Sequence, residues 1–466
     1  MAKSDSLLKL RTDSIAKKDT TKKADPKKDA KYEPNEVQVK VWYQRDQPKG
    51  VVLLKNARII TMKGDEVIEK GDLLIVNNRI KEVGKAGTLA VPSDAKVIDC
   101  EGKTVIPGFV DVHAHMWPYW GLHKGQVWIY AVNLAYGVTT TRDPQTATTD
   151  VLTYGDMVDA GQMIGPRIYS TGPGVGFWMY NLKDLDHTRK ILKQYSKYYN
   201  TKTIKMYLTG NRQMREWIIM AAKEQNLMPT TEGGLDYKLN MTNLLDGYPG
   251  HEHSLPISPL YKDVTKTIAD AKMCVTPTLL VAYGGPWAEN YYYETEMPAK
   301  DAKLTYFTPY EELAAKSRRR DGWFMPEEHV FKKHAEGINK IVSYDGLAGI
   351  GSHGQLQGLG YHWELWSIAS GGMTNLDALK VATIKGATAI GLDKDLGSLE
   401  VGKLADIIVL DKNPLENLRN SNTLKYVIKD GRVYDTNTMD EIYPTPRKLI
   451  REWPNVAPVV NTIIKP

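Results

Sequence analysis

The chain has 466 residues, 42% of them hydrophobic, enough for a barrel of about 250 residues plus an accessory domain, which excludes a wholly disordered protein. Its formal net charge of +6 is a local excess, because Lys3 to Lys31 is a lysine-rich polar run without apolar periodicity, read as a disordered basic arm over 1–32. That arm lacks the aromatics that a nucleic-acid surface interleaves with its cations, so no nucleic-acid partner is expected.

The first thirty residues hold no apolar leader core, and no window reaches the roughly eighteen apolar residues of a membrane span. The chain taken alone therefore reads as soluble and cytoplasmic. Cys100 and Cys274 are its two cysteines, far apart in apolar strand contexts. They read as buried thiols, neither a disulfide framework nor a metal pair.

From residue 33 to about 107 short alternating runs follow one another: Val37 to Tyr43, Val51 to Met62, Asp72 to Val76 and Arg79 to Val83, separated by Gly, Asn and Asp. This is the chemistry of strands and hairpins. A matching cluster lies at the other end, over 395–440, in Asp406-Ile-Ile-Val-Leu-Asp and Tyr426-Val-Ile-Lys-Asp-Gly-Arg-Val. Two strand clusters flanking one long middle segment predict a small β-sandwich built from both chain ends, with a tail over 441–466.

The middle segment, 108–394, alternates apolar runs with helical stretches. Eight strand candidates are Phe109 to His113, Val138 to Arg142, Arg167 to Thr171, Thr203 to Leu208, Met228 to Glu232, Gly250 to Leu255, Cys274 to Leu280 and Leu347 to His353. Arg212 to Glu224, Val264 to Lys272 and Asp377 to Ala387 carry helical periodicity. Eight βα units predict an α/β fold, a (β/α)8 TIM barrel whose chemistry collects at the carboxyl ends of its strands.

The first strand reads Ile106-Pro-Gly-Phe-Val-Asp-Val-His-Ala-His. Side chains two apart on a strand share a face, so His113 and His115 can address one spot, which suits a divalent metal. Here the sequence resembles the amidohydrolase superfamily, of imidazolonepropionase-like metal-dependent hydrolases, over about 50–440. Gly397-x-Leu-x-x-Gly-Lys-x-Ala-Asp406 adds to the resemblance. It implies a barrel inside a split β domain, and one or two divalent ions, zinc first, with manganese, iron or cobalt as alternatives. It also implies two strand-1 histidines on one metal, a carboxylated strand-4 lysine bridging to a second, and His, His and Asp from strands 5, 6 and 8.

Each later position can be taken in turn. Lys205 lies between apolar neighbours on strand 4, where a lysine is costly unless its charge is removed or paired. A carbamate and a buried salt bridge both satisfy that need. Tyr207 shares its face and either meets substrate or fills the barrel. Strand 5 carries Glu232 where most relatives have histidine, and strand 8 carries His353 where most have aspartate. The pair reads as a compensated swap that keeps the donor inventory, the alternative being a dead site. On strand 6, His251 and His253 share a face with Glu252 pointing away. The family's Glu-His pair selects His253 as the metal ligand and leaves His251 to contact substrate, while geometry alone also allows the reverse. His123, His187, His329 and His334 lack such context.

Lys205-Met-Tyr, Arg212-Gln, Trp217, Glu232-Gly-Gly and the run Gly351 to Glu364 narrow the resemblance to amidohydrolases with a TolB-like propeller ahead of the barrel. In that group Glu232 and His353 are the pattern, and if this chain is the C-terminal part of a longer secreted protein with such a propeller ahead of it, the compartment is periplasmic. The resemblance implies cleavage of C–N bonds in a small amide, cyclic amide or short peptide by a metal-bound hydroxide, possible dipeptidase action included. His353 or Glu232 moves the proton, and Tyr207, His251, Arg212 and Trp117 contact substrate. Ester, lactone or organophosphate hydrolysis, and a non-catalytic barrel kept for binding or assembly, are the alternatives. An aromatic-rich stretch over 281–333 predicts either a lid over the pocket or a homo-oligomer contact. Met116, Trp117, Tyr119 and Trp120 predict an apolar wall that favours a bulky substrate side chain.

Overall fold

The computed structural model describes residues 35, 37, 39, 41–176, 180–318 and 322–454. The chain divides into Met1–Gln44 and Arg45–Pro466. In the first unit the basic arm falls outside the described residues. Of the run expected as a strand from Val37 to Tyr43, the described residues are exposed and have no regular structure. The β domain thus begins later than the alternation suggested. Alternation without a partner strand or a buried face leaves nothing to hold a strand.

The second unit opens with five strands: β1 (Val51–Ile60), β2 (Val67–Val76), β3 (Arg79–Lys85), β4 (Lys96–Asp99) and β5 (Thr104–Pro107). Seven short parallel strands follow: β6 (Phe109–Asp111), β7 (Val138–Asp143), β8 (Arg167–Ser170), β9 (Thr203–Met206), β10 (Met228–Glu232), β11 (Gly250–Glu252) and β12 (Cys274–Thr276). The last four are β13 (Ile407–Leu410), β14 (Leu424–Lys429), β15 (Arg432–Asp435) and β16 (Glu441–Tyr443).

The chain ends meet where β13 pairs antiparallel with β5, Ile407 opposite Pro107 and Leu410 opposite Thr104. The resulting sheet runs β16-β15-β14-β13-β5-β1-β2-β3, with β4 on the side of β1. Residues from distant places in that order, such as Leu54, Ile75, Val105, Ile407, Ile428 and Val433, share one apolar cluster. The sheet is therefore curled over its own core, which gives the expected small β domain built from both chain ends. The boundary at 440 also shifts. Glu441 is buried between Arg432 and Arg447, so β16 belongs to the sheet.

Asp406, which closes the glycine-rich motif, and Asp430 both grip the buried Arg167 of β8, each at 2.7 Å. This pins the curled sheet to the barrel. The barrel itself closes through residue bridges: Val175 to Met206 between β8 and β9, and Ala348 and Ile350 to Val275 and Asp111 between β12 and β6. The eighth strand is thus a bridging segment of two paired positions, where a run from Leu347 to His353 was expected. Helix Arg212–Glu224 has the expected bounds, and Lys262–Asp270 starts two residues early. The stretch from Asp377 breaks into a helix, a π turn over Val381–Lys385 and a second short helix.

The 281–333 insertion folds into helices Ala288–Thr295, Ala302–Phe307 and Tyr310–Arg318. Tyr292 stacks on Trp363 at 5.1 Å and Tyr293 meets the same ring edge-on. Part of its aromatic content is thus spent against helix Leu359–Ala369. Both cysteines are free and buried. Among the described residues no helix is long and apolar enough to cross a membrane.

Candidate metal centre

His113 follows the end of β6 and its ring is fully buried. Its Nδ1 lies 2.7 Å from Glu252 Oε2; because a carboxylate accepts, Nδ1 donates, leaving Nε2 to face the opposite way. There it stands 3.2 Å from His115 Nε2. Nitrogens of His113, His253 and His353 all lie within 4.8 Å of one another. The His353 ring also sits 4.7 Å from that of His115, centroid to centroid.

The chemistry of this donor set fits a divalent cation. Burial, and after it Lys205, holds His113 well below its usual range; burial and then His115 do the same for His353. Both rings are therefore neutral, the form that binds metals. Two imidazole nitrogens 3.2 Å apart need a proton or a cation between their lone pairs, and the three-histidine set beside them supplies further donors.

Lys205 and Glu232 complete the cluster. Lys205, on β9, is buried, with its Nζ 2.6 Å from Glu232 Oε2 at the tip of β10. The other oxygen, Oε1, lies 3.0 Å from His253 Nε2. Burial pushes the Glu232 carboxyl up, but Lys205 and His253 outweigh it and hold it below the carboxylate range. Tyr207 hydrogen-bonds Glu232 and, through burial first and that carboxylate second, is pushed up to about 12.

A layer beneath fixes these rings. Glu252 is wholly buried and accepts from Arg142 Nη2 and Thr230 Oγ1, both at 2.5 Å, while holding His113. Arg142 Nε also donates to the carbonyl of Val112. Asp111 Oδ1 accepts from the backbone N–H groups of His113 and Ser352, which ties the first strand to the eighth segment. His253 Nδ1 contacts Thr278 Oγ1 at 2.5 Å. The turn after Thr278 is held by Glu364, whose two oxygens accept from the N–H groups of Leu279 and Leu280. Gly233 is required for close approach, because a Cβ there would strike the Glu252 carbonyl and the His251 ring.

The structure brings His113, His115, Lys205, Glu232, His253 and His353 together, with Tyr207 beside them. It separates the strand-6 pair: His253 joins the cluster, while buried His251 lies against Gly233 and neither ring nitrogen has a partner among the described residues. Burial lowers His251 to about 4. Glu252, expected to point away, instead points into the barrel. The period of two fails because His253 adopts a left-handed backbone, φ 73°, that re-aims its side chain. Arg212 spends its guanidinium on Asp246 and Glu216, so the substrate contact expected of it is replaced by a surface ion-pair cluster. Trp117 is 60% exposed at the mouth, its ring 5.7 Å from that of His115.

Arg142, Thr230 and Thr278 did not stand out in the sequence, and Asp111 and Glu364 lay within quoted motifs without a role assigned to them. Their one signal is position: Asp111 and Arg142 sit at strand ends on the face where polar groups collect, and Glu364 interrupts an apolar helix.

The amidohydrolase family profile matches residues 104–434. Among curated relatives, a dihydroorotase from Caldicellulosiruptor saccharolyticus is 44% identical over 66 residues, 14% of this chain and 15% of the relative. The chain thus aligns with only a small part of that relative's length. Among solved structures, a Xaa-Pro dipeptidase with methionine bound in its active site superposes with a TM-score of 0.64 at 19% identity, covering 83% of this chain and 100% of the other. Molinate hydrolase superposes with a TM-score of 0.66 at 16% identity, covering 84% and 95%. At those identities the likeness is one of fold.

Proposed function

The chain belongs to the amidohydrolase family, and from that premise we propose that it is a metal-dependent hydrolase of carbon–nitrogen bonds in small amides, cyclic amides or short peptides. The observation that carries the reading is the nitrogen cluster of His113, His253 and His353, with His115 beside it, at the carboxyl ends of barrel strands. Those residues would hold the ion, and zinc suits such a nitrogen-rich set. A divalent cation bound there supplies an acidified water and polarises a substrate carbonyl.

The chain's own groups do the rest. Glu232 reaches toward the cluster with one oxygen and is anchored by Lys205 through the other, so it is placed to take a proton from water and pass it to the leaving nitrogen. His353 occupies the neighbouring position and is the second candidate for that transfer. Tyr207 is positioned by Glu232 to hold a substrate oxygen. The exchange of carboxylate and imidazole between β10 and the eighth segment thereby keeps both an acid–base group and a full donor set, as in propeller-bearing amidohydrolases. The finer reading is a two-metal centre with Lys205 as a carbamate. As a carbamate, Lys205 would give up its ion pair with Glu232, and both groups would then be oxygen donors able to hold divalent ions.

The test is a screen of aminoacyl amides, dipeptides and lactones with zinc- and manganese-loaded protein, repeated with Glu232→Gln and His353→Asn. Amide turnover that falls at least a hundredfold in one variant supports the reading and identifies the proton carrier. A folded protein that retains no metal and turns over none of these substrates overturns it.

A further inference from the structure

Glu232 faces the histidine cluster, and Glu252 and Asp111 grip His113 from below. Among the described residues no carboxylate lies within hydrogen-bonding distance of the His115 ring, yet a fourth buried acid stands beside it. Asp143, the last residue of β7, is 2% exposed, and its side chain is turned to the segment that carries His115. One oxygen, Oδ2, accepts from the backbone N–H of Met116 at 3.1 Å. The other, Oδ1, lies 3.7 Å from His115 Nδ1 and meets no other donor among the described residues.

The two nitrogens of His115 therefore have different surroundings. Nε2 is turned inward, 3.2 Å from His113 Nε2, and Nδ1 outward to Asp143. A carboxylate only accepts, so the nitrogen that faces it is the one favoured to carry the ring proton, which leaves the Nε2 lone pair for a cation. A gap of 3.7 Å is too long for a direct hydrogen bond, but one water spans it, and a small cavity lined by both residues with Gln145 and Thr146 has room for about one. The carboxylate is fixed in place, because it is bound at the residue next to His115, just before the left-handed turn at Trp117, φ 46°.

We propose that Asp143 is a positioning residue for His115: its charge keeps the ring proton on Nδ1 and so presents Nε2 to the metal. Glu252 does the same for His113 at 2.7 Å, so the two strand-1 ligands are held with unequal grip, tighter on His113 and looser on His115. The assignment rests on the metal-dependent reading of the site and is independent of which bond is hydrolysed.

The zinc-loaded protein is labelled with ¹⁵N-histidine and the ring tautomers are read by long-range ¹H–¹⁵N NMR, with His115 assigned through its contact with Trp117. Zinc affinity is measured by competition with a chelator in wild type and Asp143→Asn, and thermal unfolding checks that the variant is folded. Asparagine discriminates between roles: its oxygen still accepts from Met116, while its NH2 faces His115 Nδ1 and favours the proton on Nε2. A carboxylate that only anchored the Met116 turn would leave zinc affinity unmoved. Wild-type His115 is expected to carry its proton on Nδ1, and Asp143→Asn to weaken zinc binding about tenfold and move that proton toward Nε2. Wild-type affinity in a folded Asp143→Asn protein, or zinc-loaded wild type with the His115 proton on Nε2, overturns the assignment. The wild-type spectrum decides alone should the variant not fold. Zinc bound with the expected tautomer but no turnover of any amide overturns the hydrolase reading and leaves Asp143 its role, whereas wild type that binds no zinc overturns both.

Discussion

Glu252→Gln removes the charge on which the lower layer of the site depends. The carboxylate is fully buried and uses both oxygens: one accepts from His113 Nδ1 at 2.7 Å, the other from Arg142 and Thr230 at 2.5 Å each. An amide cannot do both. If its oxygen stays with Arg142, its NH2 faces His113 Nδ1 and favours the tautomer that carries its proton on Nε2, the nitrogen facing the cluster. If its oxygen turns to His113, NH2 meets the guanidinium, donor against donor. In either case Arg142 is left buried without a counter-charge, a change of about 3–5 kcal/mol in stability. The loss of orientation at His113 weakens metal affinity by about 10- to 100-fold. Urea unfolding gives the first quantity, and zinc retained after dialysis against graded chelator gives the second. Wild-type zinc retention in a folded Glu252→Gln protein would refute the role given to this carboxylate.

Other expectations concern separate parts of the molecule. Lys205→Ala abolishes the ion pair with Glu232 and should release at least one metal equivalent by elemental analysis; if Lys205 is a carbamate, ¹³C-bicarbonate should give a bound carbonyl resonance in wild type that this variant lacks. Burial pushes the thiols of Cys100 and Cys274 up to about 12, so native protein should react with a thiol reagent orders of magnitude more slowly than urea-unfolded protein, and rapid native labelling would contradict the packing. His362, buried between Ser421 and the carbonyl of Tyr136, is lowered by burial to about 3. The unfolded chain protonates it near 6.5, so the unfolded state binds the extra proton and stability falls as pH drops from about 6.5 toward 3, by up to about 1.4 kcal/mol per pH unit. His362→Gln should reduce that acid slope by one proton in pH-dependent urea titrations.

Much of the architecture was legible because it depends on periodicity. Seven of the barrel strands coincide with apolar runs, and helix Arg212–Glu224 has the bounds its pattern marks. The split sheet was legible for the same reason, since strand runs cluster at both chain ends, and the two clusters join where β13 pairs with β5. The expectation failed where the alternating run stays exposed in its described residues, as over Val37 to Tyr43. Tyr292 and Tyr293, in the insertion read as a lid or a contact between copies, pack against the ring of Trp363, while Thr308, Glu312 and Lys316 of the same insertion line a cavity with Met116 and Trp117.

The site was legible in its donors and illegible in its aim, and a single physical cause accounts for the difference. Alternation assigns faces only while the backbone stays extended. At the strand tips it does not: Trp117, Leu208, His253, Thr278 and His353 all have φ between 44° and 73°. Each such residue costs about 1–3 kcal/mol in the left-handed region, and that strain persists only where surrounding contacts compensate it. Here the compensating groups can be named. Thr278 holds His253 by its side chain, Glu364 holds the turn after Thr278, and the backbone N–H of His353 is bound by the carbonyl of His113. The buried carboxylates beneath the cluster thus have a purpose that a list of metal-ligand types cannot reveal. They hold strained strand ends in the one arrangement in which imidazoles from separate strands converge. That is also why Glu252, placed on the wrong face by a period of two, proves to be the residue on which the His113 tautomer depends.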